Sequence, residues 1–531
     1  MSTLTGTKQL LGLIGRLERI RLTIWVLVLG VVPPAVASSF LALYDTEAAR
    51  RELVATVTSS PGLVALLGPV HGTSAGALTV WRIGTIGAVL IALMASFTVI
   101  RHTRAEEETG RRELIGGTVL GRHAPLLASS IAAVVAGVAI GSIVALGLVA
   151  LGEDAVGAAA FGAAWVLVAA VFAGVGALAA QLTESAGGAR AVAGGAVGLW
   201  FALRMVGDGA EASGAGWVSW LSPFGWVSKV EAFGSERWWV GGLFLALAFV
   251  IGWAAFVLSS RRDVGAGVFP PRPGPPEGSP GLRTPLALAW RLQKSSLIGW
   301  VVGVGAFASV WGGLADTIAQ LVDDNPQIAE MFEALGGTGA LTDAFFSAAM
   351  GIVALIVSVY VVDAVLTLRS EEDGRRAEPV LATTVGRTRW AGSHLVFAGL
   401  GPVVLMAAAG FTAGLTYGII SGDVPGQVVG LIGAALLYVP AIWVMAGVAM
   451  GLYGLAPHLT AVSWGALVAF LLLGQLGPIL QLPEWAMNLS PFTHVPTPPE
   501  PVTVVPLVAL ALLAGGLVAA GLTGFRTRDL R

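Results

Sequence analysis

ALTVWRIGTIGAVLIALMASFTVI, residues 77–100, runs directly into RHTRAEEETGRRE, residues 101–113. The first stretch holds a single charge, Arg82, in 24 residues, enough for a helix to cross a hydrocarbon core about 30 Å thick. The second packs eight charges into thirteen residues, so the chain leaves the apolar phase at residue 101. Eleven further apolar runs occur, near 23–44, 125–151, 156–182, 188–206, 238–259, 297–315, 345–367, 391–420, 426–455, 461–480 and 503–525. None alternates with period two, so the runs are helices and not barrel strands. The expected fold is an all-α polytopic membrane protein with 12 transmembrane helices.

The composition agrees. Of 531 residues 55% are hydrophobic and 12% charged, with mean hydropathy +0.81. That is about half the charge of a soluble domain, and it excludes a soluble enzyme, a disordered chain and a nucleic-acid binder. No cysteine is present, which excludes disulfides, thiol nucleophiles and thiolate metal sites. An even span count with both termini cytoplasmic places 24 of the 30 basic residues on the inner side. Before the first span, residues 8–21 carry Leu10, Leu13, Ile14 and Leu17 at helical spacing beside Lys8, Arg16, Arg19 and Arg21. They read as an elbow helix in the inner interface, its basic side toward lipid phosphates. Residues 264–285 are proline-rich and read as a semi-rigid linker between halves 1–263 and 286–531.

The halves repeat each other. Arg16-Leu-Glu-Arg matches Arg291-Leu-Gln-Lys, Leu221-Ser-Pro-Phe matches Leu489-Ser-Pro-Phe, and Arg262-Asp263 matches Arg528-Asp529. Glu107-Glu108-Thr-Gly110-Arg111-Arg112-Glu113 matches Glu371-Glu372-Asp-Gly374-Arg375-Arg376-Ala-Glu378, with Ala377 as an inserted residue. Gly121-Arg122 and Gly386-Arg387 follow at equal spacing. Same-order matches imply two parallel six-helix pseudo-repeats. On a helix each Glu would face an Arg four residues later, and Gly110 and Gly374 would mark bends. A stop-transfer cluster would explain the arginines. The repeated carboxylates and Gly-Arg pairs point further, to a docking surface present twice.

An elbow helix, a Glu-Glu-x-Gly-Arg-Arg segment after the second span and a Ser-Pro-Phe stretch before the sixth resemble the permease subunits of ATP-binding-cassette (ABC) exporters of the second bacterial class. The actinobacterial polyketide-antibiotic (tetronasin-type) multidrug exporters are the most similar. The resemblance implies that segments 105–122 and 370–387 are coupling helices, each seated in a groove of one of two ABC ATPase subunits. That role falls on Glu107, Glu108, Gly110, Arg111, Arg112, Glu113, Gly121 and Arg122, and on Glu371, Glu372, Gly374, Arg375, Arg376, Glu378, Gly386 and Arg387. It also implies an apolar small-molecule substrate, antibiotic export from the cell (plasma) membrane of a bacterium, and a path lined by spans two, five, eight and eleven. ATP and Mg would belong to the partner. No G-x-x-x-x-G-K-[ST] loop surrounds Lys8, Lys229 or Lys294, so this chain is expected to be a transport subunit and not an enzyme.

Arg82, Arg204, Asp208 and Asp363 are the candidates for intramembrane pairs or path contacts, because an unpaired charge there is costly. The six histidines show no metal-ligand spacing. The alternative reading is a proton-coupled exporter of the major-facilitator kind. Long outer segments (45–76, 316–344) and the lack of a buried carboxylate series weigh against it.

Overall fold

The computed structural model describes residues 3–58, 64–65, 67–111, 120–211, 214–263, 265–269, 283–323, 338–476, 483–496 and 503–529. Arg112, Glu113 and most of the proline-rich stretch lie outside them. Among the described residues every regular element is a helix. The chain forms two compact units, Met1–Pro273 and Gly274–Arg531.

In the first unit the spans are Arg19–Leu43, Ala75–Arg101, Ala124–Ala150, Ala155–Leu182, Ala186–Gly209 and Val240–Arg261. Spans two and four form its centre and are mostly buried, whereas one, five and six bury only a stripe. Leu27, Val31, Phe249 and Trp253 stand exposed on the outer spans, as side chains facing lipid would. Small residues let the central helices meet closely. An added Cβ at Gly141 would strike the backbone of Gly162, and the reverse holds. Two polar ties fix their register: Ser96 Oγ donates to Phe172 O at 2.9 Å, and Trp165 Nε1 to Gly84 O at 2.9 Å.

In the second unit the spans are Pro285–Asp323, Thr338–Asp373, Arg387–Ser421, Val424–Leu455, Val462–Leu476 and Val504–Thr527. Span eight is the most buried of them. Span ten is interrupted between Leu436 and Val439, just before Pro440, which lacks the N–H a continuous helix needs. Gly410, Gly414 and Gly418 receive the backbone of span ten closely. Among the described residues eleven helices are long and apolar enough to cross a bilayer. The eleventh expected run, 461–480, is described only over 15 residues, because 477–480 fall outside the described set.

Two expectations need correction. The elbow helix is Thr7–Leu17, not 8–21, because the chain turns at Glu18 and Arg19–Arg21 already belong to span one. The repeat of that stretch at Arg291-Leu-Gln-Lys, where a second elbow helix is expected by analogy, lies among the described residues inside one 39-residue helix, Pro285–Asp323. The repeated Ser-Pro-Phe has a shared local reason. Ser222 Oγ donates to Trp200 O of span five at 2.6 Å, and Ser490 Oγ to Phe470 O of span eleven at 3.5 Å. Each proline then opens a short helix.

Candidate functional site

Span two ends at Arg101, the chain turns at His102 and Thr103, and a five-residue helix, Arg104–Glu108, follows. The Glu107 side chain is fully buried. One of its oxygens accepts from Arg104 Nη1 at 2.8 Å, and Arg262, just past span six, holds both oxygens at 2.9 and 3.0 Å. Arg104 Nε also donates to Ala180 O at 2.9 Å, and Arg262 Nε to Gln181 Oε1 at 2.7 Å, both near the end of span four. Burial lowers the Arg262 pKa, and bidentate contact with a carboxylate offsets that cost. Helix C-termini carry unpaired carbonyls and partial negative charge, so guanidiniums are the fitting groups there. Spans two, four and six are thus tied at one end through Glu107.

Glu108 faces the other way. Its Oε2 accepts from Ala186 N at 2.8 Å, capping the N-terminus of span five. Arg111 is exposed and reaches Glu106 at 3.5 Å. The expected pairing of Glu107 with Arg111 does not form, because the helix stops at Glu108 and Gly110 turns with φ 70°.

In the second half Glu372 is buried. Arg528, just past span twelve, holds its oxygens at 2.8 and 2.6 Å, and the Tyr453 hydroxyl donates to it at 2.9 Å. The Arg528 guanidinium lies over the rings of Tyr453 and Phe525 at 4.9 and 5.2 Å. Glu371 pairs with Arg376 at 3.0 Å. Glu378, Gly374, Arg375 and Arg376 are exposed.

This arrangement moves the repeat by one residue. Glu107 corresponds in role to Glu372, not to Glu371. The left-handed position is Gly110 in one half and Arg375, with φ 54°, in the other, so Gly374 is not the bend. The cause is the turn at His102–Thr103, which breaks span two where span eight runs on unbroken to Asp373. With this pairing residues 107–122 and 372–387 stand in register throughout, and Ala377 is not an insertion.

The two Gly-Arg pairs also differ in half of their content. Arg122 donates to Ser259 O at 3.0 Å and Arg387 to Arg528 O at 2.6 Å, so each arginine binds the end of its sixth span. Gly121 lies under the N-terminal strand of backbone: its N–H donates to Thr5 O at 2.9 Å, and His123 N to Thr3 O at 3.0 Å. A Cβ at Gly121 would collide with the Thr3 carbonyl, while one at Gly386 would meet nothing. Gly121→Ala is expected to cost about 1–3 kcal/mol and Gly386→Ala less than about 0.5 kcal/mol, read from thermal melting in detergent. Equal losses would contradict this geometry.

Among the membrane candidates, Arg204 and Asp208 form an ion pair, Nε to Oδ2 at 2.7 Å, with both side chains fully buried. Arg204 Nη1 also donates to Ala65 O at 3.0 Å. Arg82 on span two and Asp363 on span eight are both exposed. The described residues include no group of three side chains able to hold a metal ion. Sequence reasoning missed Arg104, Gln181 and Tyr453. It noticed the repeated Arg262 and Arg528 without assigning them a partner.

A model for the C-terminal domain of the multidrug efflux system permease Rv1217c matches residues 282–526. The whole chain is similar to the multidrug efflux system permease protein Rv1217c of Mycobacterium tuberculosis (strain ATCC 25618 / H37Rv). The two are 42% identical over 532 residues, covering 100% of this chain and 96% of that protein. A polytopic helical protein built of two repeated halves, alike from end to end to one such permease, belongs to the multidrug efflux system permease family.

Proposed function

We propose that this chain is the membrane permease of an ABC exporter for apolar small molecules of the drug or antibiotic type. Both termini face the cytoplasm, and two copies of a separate ATPase subunit, which binds ATP and Mg, seat on segments 105–122 and 370–387. The observation that carries this reading is the buried carboxylate in each half. Glu107 and Glu372 fasten the end of the second span to the end of the sixth, while exposed charges, Arg111 in one half and Arg375 and Arg376 in the other, follow within four residues. A push on such a segment is delivered to several spans at once and is not absorbed by a loose loop. Coupling of this kind needs a two-state element biased at a distance, and the three tied helices of each half are suited to be one.

The test is a purification of tagged protein from its native membrane in mild detergent, with the co-purifying chains assayed for ATP hydrolysis. Wild type should retain an ATPase at about two copies per permease. Arg111→Glu combined with Arg375→Glu and Arg376→Glu should lose it while melting like wild type. A folded wild-type permease that brings down no ATPase sinks the reading. Asp363, an exposed carboxylate on a buried span, would then be tested as Asp363→Asn for proton-coupled transport. The chain lacks cysteine, so single cysteines at Ser260 and Ser235 give a background-free labelling test of the orientation.

A further inference from the structure

A cleft of about 630 Å³ opens in the first half beside the turn that follows span two. Four guanidiniums line it: Arg21 from span one, Arg101 from span two, Arg111 from the segment beyond, and Arg190 from span five. Two carboxylates oppose them. Glu106 lies in the wall, near Arg111. Glu18 is buried behind it and holds Arg21 at 2.9 Å, Arg101 at 3.0 Å and His102 at 2.8 Å. Arg190 pairs with no carboxylate among the described residues. Among the described residues the cleft therefore carries an excess of two positive charges, and two of its arginines, Arg21 and Arg101, are held from behind by a group that a ligand does not reach.

The remaining wall is apolar. Phe97 and Leu17 line the cleft, and Leu17 is 60% exposed. Ile20 and Ile24 follow the turn at Glu18, at the start of span one, and are 67% and 57% exposed. The rim lies at the start of span one, whose exposed Leu27 and Val31 stand as lipid-facing side chains do, so a ligand held in the cleft has the bilayer beside it. A membrane amphiphile satisfies both parts, its phosphate among the guanidiniums and its chains along Leu17, Ile20 and Ile24. We propose that this cleft is a binding site for the phosphodiester headgroup of an anionic membrane lipid, one lipid per chain. The leaflet rests on the orientation proposed above, whereas the chemistry does not. Its position touches the turn at His102 and the base of the docking segment, so a bound lipid would join the elbow helix, span two and span five where the docking segment begins.

The test uses the full purified chain without any ATPase, so its outcome is independent of the exporter reading. The protein is mixed with equal amounts of phosphatidylglycerol and phosphatidylcholine of the same acyl chains, and adducts are counted by native mass spectrometry. Phosphatidylglycerol should exceed phosphatidylcholine about fivefold or more, and Arg190→Glu should bring the ratio close to one. Arg389→Glu, an exposed arginine of the second half, should leave the ratio unchanged. If the reversal does not fold, Arg190→Gln is expected to lower the ratio at least twofold. No preference in wild type, or a preference untouched by the Arg190 variants, overturns the proposal. Glycerol 3-phosphate raising the melting temperature as much as phosphatidylglycerol would also overturn it, in favour of a soluble anion.

Discussion

Glu107→Ala is expected to unfold the basic end of the first half. The substitution leaves Arg104 and Arg262 buried with no carboxylate between them, and removing one member of a buried ionic group costs about 3–5 kcal/mol. Glu108→Ala, one residue on, removes only a cap on span five and should cost about 0.5–1 kcal/mol. The contrast between neighbours is the measurement, made by thermal melting of matched detergent samples. Glu372→Ala should fall between them. Arg528 keeps its stacking on two rings, and its side chain is 15% exposed, so water reaches it when the carboxylate is gone. If Glu107→Ala melts like Glu108→Ala, the described pairing is not what holds spans two, four and six together.

Arg204→Met and Asp208→Leu should each cost about 3–5 kcal/mol, and the double substitution should recover most of that loss. Both side chains are fully buried, so each single change strands a charge, whereas the double change leaves an apolar contact on a span already in an apolar phase. The double variant also separates roles. A pair that serves the fold alone will transport normally when replaced by Met and Leu. A pair that contacts the transported molecule will recover most of its stability in the double variant and still fail in efflux. Arg204 also bonds the Ala65 carbonyl, so some loss should remain in the double variant.

The spans, the repeat and the charged segments could all be read from the chain, because each rests on a one-dimensional signal. Apolar length marks a span, and recurring motifs mark a repeat. What could not be read was which of two adjacent glutamates turns inward. Glu107-Glu108 and Glu371-Glu372 are identical as text, and the choice depends on helix phase at the span end. That phase is set by the turn at His102–Thr103, for which neither residue is a strong marker. Gly374 was a reasonable bend because glycine tolerates positive φ, yet the turn falls on Arg375, where the left-handed conformation costs about 1 kcal/mol. The buried Arg104 carried no visible signal. Arg262 did carry one, since it recurs as Arg528, but a recurring arginine names no partner 155 residues away.

That separation has a consequence for how the protein is made. Glu107 enters the membrane boundary with its own span, but Arg262 leaves the ribosome only after span six. At about 5–20 residues per second the carboxylate waits roughly 8–30 s for it. Glu372 waits a similar time for Arg528, 156 residues on. Each bond closes the half in which it arises and needs nothing from the other. The first half can therefore be latched while the second is still being translated, and insertion of the chain becomes two short assembly problems solved in sequence.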